Sequence, residues 1–356
     1  MASLYLCVDC GGTKTAAAIS DSQGNIIGRG TGGPSNITYL TVDEFITSVR
    51  MATLAALKDT RPDIEDLPIP PGTESPFAAA WFGVSGADSP AAIAKVTPAI
   101  SALLAIPVGP DLVVANDTHL LAAPVRTYPS INHAIAVIAG TGSITVSFKQ
   151  EEGRIEELGR VGGWGWILGD EGGGYDVGRE ALRQLLMEED LASVLRRPAP
   201  PSKLRDQILA KFNVPTVMEI LGEVYHGDPT GESATQDLRS LSREKRISSL
   251  PPLVFSAAFE EDDWLAKRIL QASAKQLADQ VQLHLGSGDE ANPHGVKARD
   301  AIISFGGSLV GNGKYRQIIL DLLAERGHTF SHVHFIEDAA AVGATGLASS
   351  YKPSHT

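Results

Sequence analysis

The chain has few cysteines, no excess of basic charge and no long apolar run, and each shortage excludes a class of protein. Two cysteines in 356 residues cannot make a disulfide framework, which indicates a reducing compartment. The 42 acidic and 30 basic residues leave a net charge of -12, which argues against a nucleic-acid-binding surface. No apolar run approaches the ~20 residues of a membrane span, and no signal-peptide pattern opens the chain. We therefore expect a cytoplasmic protein that binds neither nucleic acid nor membrane.

The two cysteines, Cys7 and Cys10, have the spacing of a redox or metal motif but lie in a segment that predicts a β-strand. Side chains three residues apart on a strand point to opposite faces of the sheet. The spacing therefore predicts neither a disulfide nor a shared metal site.

Glycine, by contrast, is abundant. The chain contains 36 glycines, more than the ~7% of an average protein, and many cluster in short loops with apolar flanks. Such clusters indicate backbone that a ligand approaches closely.

Short strand-like runs occur in two clusters with the same order. The first cluster has runs at 3–9, 14–20 and 25–30, a helix from Val42, strands at 80–84 and 111–115, and a helix Ser89–Leu104 between them. The second has runs at 133–139, 143–148 and 153–159, a helix through Leu270, Ala274, Leu277, Val281 and Leu285, and a strand at 300–305. Turn residues between the first runs of each cluster are hairpin signals.

This repetition predicts a duplicated α/β protein with two lobes that face a cleft. We place the lobes at 1–118 and 119–356, with a partly helical insertion or lid around 196–253. The length of the chain also favours about two domains.

Three glycine loops follow strands of this pattern. The first comes directly after Asp9, which could hold Mg²⁺ directly or through water. A single loop of this kind is as readily an ordinary tight hairpin. Three such loops at the carboxyl ends of strands favour a nucleotide site. In that site the first two loops would bind the phosphates and the third would bind the adenosine. The loops satisfy neither the Walker A nor the Rossmann spacing. The predicted nucleotide-binding residues are Gly11, Gly12, Thr13, Lys14, Thr15, Gly140, Thr141, Gly142, Gly306, Gly307 and Ser308.

Asp117 stands at the end of the apolar run at 111–115. A carboxylate there could accept the proton of an attacking hydroxyl, or it could be the N-cap of a helix that starts at Thr118. Asn36 could likewise be a turn residue or a partner for sugar hydroxyls. The residues alone leave both alternatives open.

Taken in order, these motifs resemble the N-acetylglucosamine kinase branch of the BadF/BadG ATPase family, in the actin-like, hexokinase-like superfamily. The resemblance runs from about residue 4 to residue 347, and its most specific part is the segment Gly162–Gly172. The motifs that carry it are Asp9–Thr15, Gly33–Asn36, Asn116–Asp117, Gly140–Ser143, Gly162–Gly172 and Gly306–Ser308.

The resemblance implies two ribonuclease H-like lobes built from βββαβα units, with the last helix packed back on the first lobe. It implies a homodimer that uses ATP and Mg²⁺ to phosphorylate the 6-hydroxyl of N-acetyl-D-glucosamine, with Asp117 as general base. The sugar-binding residues implied are Asn36, Ser85, Gly86, Asn116, Asp117, Ser143, Gly163, Trp164 and Asp170.

One departure affects the substrate. Ile144 stands where vertebrate-type kinases carry an asparagine, so glucosamine and N-acetylmuramate are alternative substrates. A BadF-type ATPase without a sugar substrate is a further alternative, but an iron–sulfur cluster of the activator type needs about four thiolates. A non-catalytic sugar sensor is the third, and its mark would be the loss of Asp9 or Asp117, both of which are present.

Overall fold

The computed structural model describes residues 3–70, 72–229, 238–286 and 295–351. The first lobe contains β1 (Leu4–Cys10), β2 (Thr15–Ser20), β3 (Ile26–Gly32), α1 (Val42–Leu57), β4 (Phe77–Val84), α2 (Pro90–Leu104) and β5 (Leu112–Asn116). Its sheet has the order β3-β2-β1-β4-β5. The first three strands are antiparallel neighbours, and β4 and β5 are parallel to β1.

The second lobe repeats this topology. Its elements are α3 (Thr118–Leu121), β6 (His133–Ala139), β7 (Ser143–Glu151), β8 (Arg154–Gly162), α4 (Gly165–Leu168), α5 (Gly174–Leu195), α6 (Lys203–Phe212), α7 (Ile220–Val224), α8 (Arg243–Ser248), α9 (Pro251–Phe259), α10 (Trp264–Gln282), β9 (Ala301–Gly306), α11 (Gly313–Glu325), β10 (His332–Phe335) and α12 (Ala339–Ser350). The sheet order β8-β7-β6-β9-β10 matches that of the first sheet, with the same parallel and antiparallel pairs. The predicted duplication is confirmed, whereas the lobe boundaries stay a prediction.

Helix α1 lies directly on strand β3. Its start is fixed by a capping box between Thr41 and Glu44. Gly28, Gly30 and Gly32 face the helix backbone, and an ideal Cβ on each would lie 2.1–2.3 Å from a carbonyl oxygen of α1. Any side chain at these three positions would push the helix off the sheet.

The segment 196–253, predicted as an insertion or lid, packs as core. Leu204, Ile208, Ile247 and Leu250 are buried in the same hydrophobic cluster as residues of β6 and β9. These side chains anchor the segment in the core of the second lobe, and its interpretation as an insertion or lid stays a prediction. Residues 230–237 of the prediction lie outside the described residues.

Helix α12 follows the second sheet but packs against the first. An ideal Cβ on Gly343 would lie 2.3 Å from Cys7 Sγ, so only glycine lets the helix approach β1 this closely. The Ser20 hydroxyl donates to Ala344 O at 2.9 Å. Cys7 packs beneath α12 and Cys10 packs on the α1 side of the sheet, and both are buried free thiols. Among the described residues, no helix is long and apolar enough to cross a membrane.

Candidate active site

The loops that follow β1, β3 and β4 are joined by backbone hydrogen bonds. Ser35 N donates to Gly11 O at 2.9 Å, and Ser85 N donates to Cys10 O at 2.9 Å. Ile37 N in turn donates to Ser85 O at 3.1 Å. These bonds gather the ends of neighbouring strands, where ligands of open α/β sheets bind, into one surface.

Three predicted sugar-binding residues lie close together on this surface. Asn36 Nδ2 donates to Ser85 Oγ at 3.2 Å, and its Oδ1 accepts from Thr38 N at 2.8 Å. Ser85 lies near enough to the Asp117 carboxyl to lower its pKa. Gly86, with φ +85°, leaves room for Asn36, because an ideal Cβ there would lie 2.7 Å from Asn36 Oδ1. The structure therefore brings Asn36, Ser85 and Asp117 together.

Asp117 precedes α3 in the N-cap position, but its side chain makes no capping hydrogen bond. Asn116 takes over that function, since its Oδ1 accepts from Thr118 N at 3.0 Å. Burial raises the pKa of Asp117; the neighbouring Ser85 opposes that rise, and the Asp88 carboxylate adds to it. The helix-cap alternative is thus wrong for the Asp117 side chain, which leaves its carboxylate available for a substrate.

Asp9 lies at the end of β1 in an acidic environment. Burial, reinforced by the carboxylates of Asp117 and Asp338, raises the pKa of Asp9 to about 6, against the lowering effect of Lys14. A carboxylate among other carboxylates is stabilised by a hard cation, so its chemistry fits Mg²⁺. Among the described residues no cluster of three or more His, Cys, Asp or Glu side chains could hold a metal. Phosphate oxygens and water would therefore have to supply most of the ligands.

The first glycine turn is tight and open to solvent. Gly11 N donates to Lys14 O at 3.0 Å, which closes the turn. No atom lies within 4 Å of an ideal Cβ on Gly12, and both Thr13 and Lys14 are exposed. The turn presents uncovered backbone and a cation, as an anion-binding nest requires.

Thr15 does not face the open side of this turn. Its side chain is fully buried, and its hydroxyl donates to Gly33 O at 2.7 Å and lies 2.7 Å from Ser35 Oγ. The prediction of Thr15 as a hydroxyl donor to phosphate is therefore corrected. Strand alternation turns this residue inward, where it ties the first loop to the loop after β3.

The second glycine turn is supported from below by Asp170. An ideal Cβ on Gly142 would lie 2.6 Å from Asp170 Oδ2, and Ser143 N donates to Asp170 Oδ1 at 3.3 Å. Burial raises the pKa of Asp170, and the bond from Ser143 opposes the rise. Gly174 N donates to Gly140 O at 2.8 Å, and Thr141 is exposed.

Ser143 and Asp170, both predicted to bind sugar, thus support the loop. The Ser143 hydroxyl donates to Glu171 O at 2.7 Å and is buried. Asp170 is 9% exposed. Both side chains are thus hydrogen-bonded within the second lobe, and their binding to sugar stays a prediction.

The third glycine loop lies against the second. Gly307 has φ +99°, and an ideal Cβ on it would lie 2.6 Å from Ala139 O. Leu309 N donates to the same carbonyl oxygen at 3.0 Å. Gly306 is buried at the end of β9 and Ser308 is exposed. The loops after β6 and β9 therefore form one continuous surface.

The Trp164 turn forms a wall beside the second glycine loop. Gly163 has φ +73° and its N–H donates to Ser143 O at 2.9 Å. An ideal Cβ on Gly163 would lie 2.9 Å from Ile144 Cδ1 and 3.0 Å from Arg160 Nη2. Trp164 is 70% exposed, so its indole is not a core plug. The turn presents glycine backbone and an aromatic face to solvent.

Sequence reasoning missed Asp88 and Arg160. Asp88 Oδ1 accepts from Asn116 Nδ2 at 3.0 Å and from Arg160 Nη1 at 3.3 Å. Asp88 belongs to the first lobe and Arg160 to β8 of the second. The only available signals were an acid shortly after Ser85 and a base shortly before Gly163, and no spacing rule joins them.

Comparison with known proteins identifies the family. The model of the BadF/BadG/BcrA/BcrD ATPase family matches residues 6–348. An N-acetylmuramic acid/N-acetylglucosamine kinase from Clostridium acetobutylicum is 27% identical over 76% of this chain and 75% of its own length. An N-acetyl-D-glucosamine kinase from Dictyostelium discoideum is 26% identical over 78% of each chain.

The fold has a counterpart among crystal structures. A candidate N-acetylglucosamine kinase from Porphyromonas gingivalis superposes with a TM-score of 0.62 at 21% identity, over 97% of this chain and 98% of that one. Because the family model covers nearly the whole sequence, the chain belongs to the BadF/BadG/BcrA/BcrD ATPase family.

Proposed function

We propose that the chain is an ATP-dependent kinase that phosphorylates the 6-hydroxyl of N-acetyl-D-glucosamine. The observation that carries the proposal is the Asp117 carboxylate, which caps no helix and lies beside Ser85, whose hydroxyl oxygen accepts from Asn36. The family match supports the use of ATP, and the two kinase relatives support an amino-sugar acceptor.

In this proposal Asp117 acts as the general base. Its carboxylate takes the proton of the sugar hydroxyl while that oxygen forms a bond to the γ-phosphorus and the bond to ADP breaks. The backbone N–H groups of the turn Gly11–Lys14 and the Lys14 ammonium hold phosphate oxygens, and the turn Gly140–Gly142 holds others. Loop Gly306–Ser308 receives the adenosine.

Asp9 is the residue that would hold Mg²⁺, through water, next to the phosphates. When bound, the cation neutralises charge that develops on the phosphate oxygens. The Asp9 carboxylate would supply the negative charge that holds the cation there.

The residues proposed to contact the sugar are Asn36 from the first lobe and Ile144 and the Trp164 turn from the second. This acceptor wall favours a second candidate substrate. Ile144 lies against Gly163, so this part of the wall is apolar where an amide would recognise a sugar hydroxyl. Loss of a polar contact relaxes selection among related sugars. N-acetylmuramate, which the Clostridium relative is named for, is therefore the second candidate. Assembly as a homodimer and a cytoplasmic location stay predictions.

Sugar-dependent ADP release tests the proposal. The purified chain with MgATP is assayed against N-acetylglucosamine, N-acetylmuramate, glucosamine, N-acetylmannosamine and glucose, and ³¹P–¹H correlation locates the phosphate on the product. We expect turnover with one or both N-acetylated candidates and phosphate on O6. Rapid ATP hydrolysis that no sugar stimulates would instead favour an ATPase without a sugar substrate.

A further inference from the structure

Two charged residues outside the predicted site connect the second lobe to the segment that carries Asp117. Arg160 on β8 donates to Asp88 at 3.3 Å, and the same carboxylate oxygen accepts from Asn116 Nδ2 at 3.0 Å. Donors from different lobes therefore converge on one oxygen of Asp88. A second ion pair between the lobes, Arg29 with Asp338, lies at the start of α12.

The amide of Asn116 is engaged at both ends. Its oxygen accepts from Thr118 N at 3.0 Å, and this bond fixes the NH₂ group toward Asp88. Asn116 thus spans the peptide units on either side of Asp117 and holds them in one conformation. Asp88 anchors that amide.

Arg160 also contacts the wall on which the acceptor is proposed to bind. Its Nη2 lies next to Gly163, 3.0 Å from the position that a Cβ on that residue would take. The chain of contacts runs from the Trp164 turn through Arg160 and Asp88 to Asn116. Arg160 and Asp88 have side chains 35% and 54% exposed, and a pair this exposed contributes little to stability.

We propose that Asp88 is a positioning residue for Asp117 and that Arg160, acting through Asp88, ties that position to the second lobe. The proposal rests on the proposed kinase function. Across the contact between the lobes, Arg160 holds Asp88 in place, and Asn116 then holds Asp117 where the hydroxyl arrives. Neither Asp88 nor Arg160 contacts reacting atoms.

The test compares kcat, both KM values and the melting temperature for Asp88→Ala, Arg160→Gln, Arg160→Lys and the double variant Asp88→Ala/Arg160→Gln. We expect Asp88→Ala to lower kcat about 10-fold, since small displacements of a catalytic group carry penalties of this order, with the ATP KM and melting temperature unchanged. Arg160→Gln should lower kcat by less, and Arg160→Lys should restore most of the loss.

The double variant is the decisive measurement. If Arg160 acts through Asp88, Arg160→Gln adds no further loss in the Asp88→Ala background. Lys149→Gln is the matched control, because the Lys149–Glu151 pair is 33% and 62% exposed and lies within β7. Additive losses, unchanged kcat in both single variants, or losses that follow the melting temperature would overturn the proposal. Failure of the kinase function itself would show earlier, as no sugar-dependent turnover by the wild type.

Discussion

The two lobes share a strand order but support their glycine turns differently. In the first lobe a single helix, α1, connects β3 to β4. In the turn Gly11–Lys14, no atom from elsewhere in the fold lies within 4 Å of an ideal Cβ on Gly12. In the second lobe the connection between β8 and β9 includes α4 to α10, and its beginning, Asp170–Gly174, lies directly beneath Gly140–Ser143. The segment Asp170–Gly174 thus supports the second turn from below, whereas the first turn is tied at its ends to the loop after β3 and leaves Gly12 open.

The largest expected effect concerns the chemistry assigned to the first lobe. Asp117→Asn should lower kcat by about 10²–10⁴-fold, because an amide cannot accept the proton of the attacking hydroxyl. The melting temperature should not fall, since the Asp117 side chain caps no helix and burial already raises the pKa of its carboxyl. Steady-state kinetics and thermal unfolding check this, with the exposed Asp59→Asn as control. Near wild-type turnover in the folded Asp117 variant would remove the residue from catalysis.

Alanine at one glycine of each turn tests the comparison of the lobes directly. Gly142→Ala places a Cβ 2.6 Å from Asp170 Oδ2, and such overpacking costs about 1–3 kcal/mol. Gly12→Ala meets no atom within 4 Å and should leave the free energy of unfolding nearly unchanged. Urea unfolding of both variants measures the difference. Equal destabilisation would mean that the two turns are supported alike.

The acidic end of β1 should destabilise the first lobe at neutral pH. The pKa of Asp9 rises from 3.8 to about 6, so the unfolded state loses its proton first as the pH rises. Stability is therefore full below about pH 4 and falls as the pH rises to about 6. Asp9→Asn should raise the free energy of unfolding by about 3 kcal/mol at pH 7.5, without nucleotide or metal, and change little at pH 4.

Asp21→Asn is the control for this measurement and should show the opposite sign. A hydrogen bond from Asn25 lowers the pKa of Asp21, so its charged form is stabilised in the fold. If Asp9→Asn destabilised the protein at pH 7.5, the carboxylate would have a stabilising partner and the electrostatic comparison would fail.

The smallest effects concern the acceptor wall, to which both lobes contribute. Trp164→Ala and Asn36→Ala should each raise the sugar KM about tenfold, the equivalent of one lost hydrogen bond or aromatic contact, with the ATP KM unchanged. Both kinetic constants are measured with each substrate varied in turn. A rise in the ATP KM alone would place these residues with the nucleotide instead.

The regular elements of both sheets could be predicted from sequence because apolar runs and turn residues alternate clearly. Predicted runs at 133–139 and 80–84 lie within β6 and β4, and the helix from Val42 begins where expected. Strand β10 was missed because His332–Phe335 is only partly apolar and lies at the sheet edge. Helix α5 was missed because its second half is polar or exposed.

The site was predictable to the level of loops but not of individual side chains. Thr15 and Ser143 stand in glycine-rich motifs, yet their hydroxyls bond to Gly33 O and Glu171 O. A sequence pattern shows that a polar group is present and cannot show whether a buried carbonyl already uses it. The Asp88–Arg160 pair was missed for a related reason, since it joins positions that only the tertiary fold brings together.

Helix α12 has a consequence for the order in which the protein can form. It lies on β1, so this strand is synthesised long before the helix that covers it. Chains are made at about 5–20 residues per second and domains tend to fold as they emerge. The first sheet nevertheless leaves the ribosome with Tyr5, Cys7 and Trp81 uncovered, because the small residues of α12 that bury them have not yet been translated. The N-terminal lobe is therefore completed only after the C-terminal one has been made.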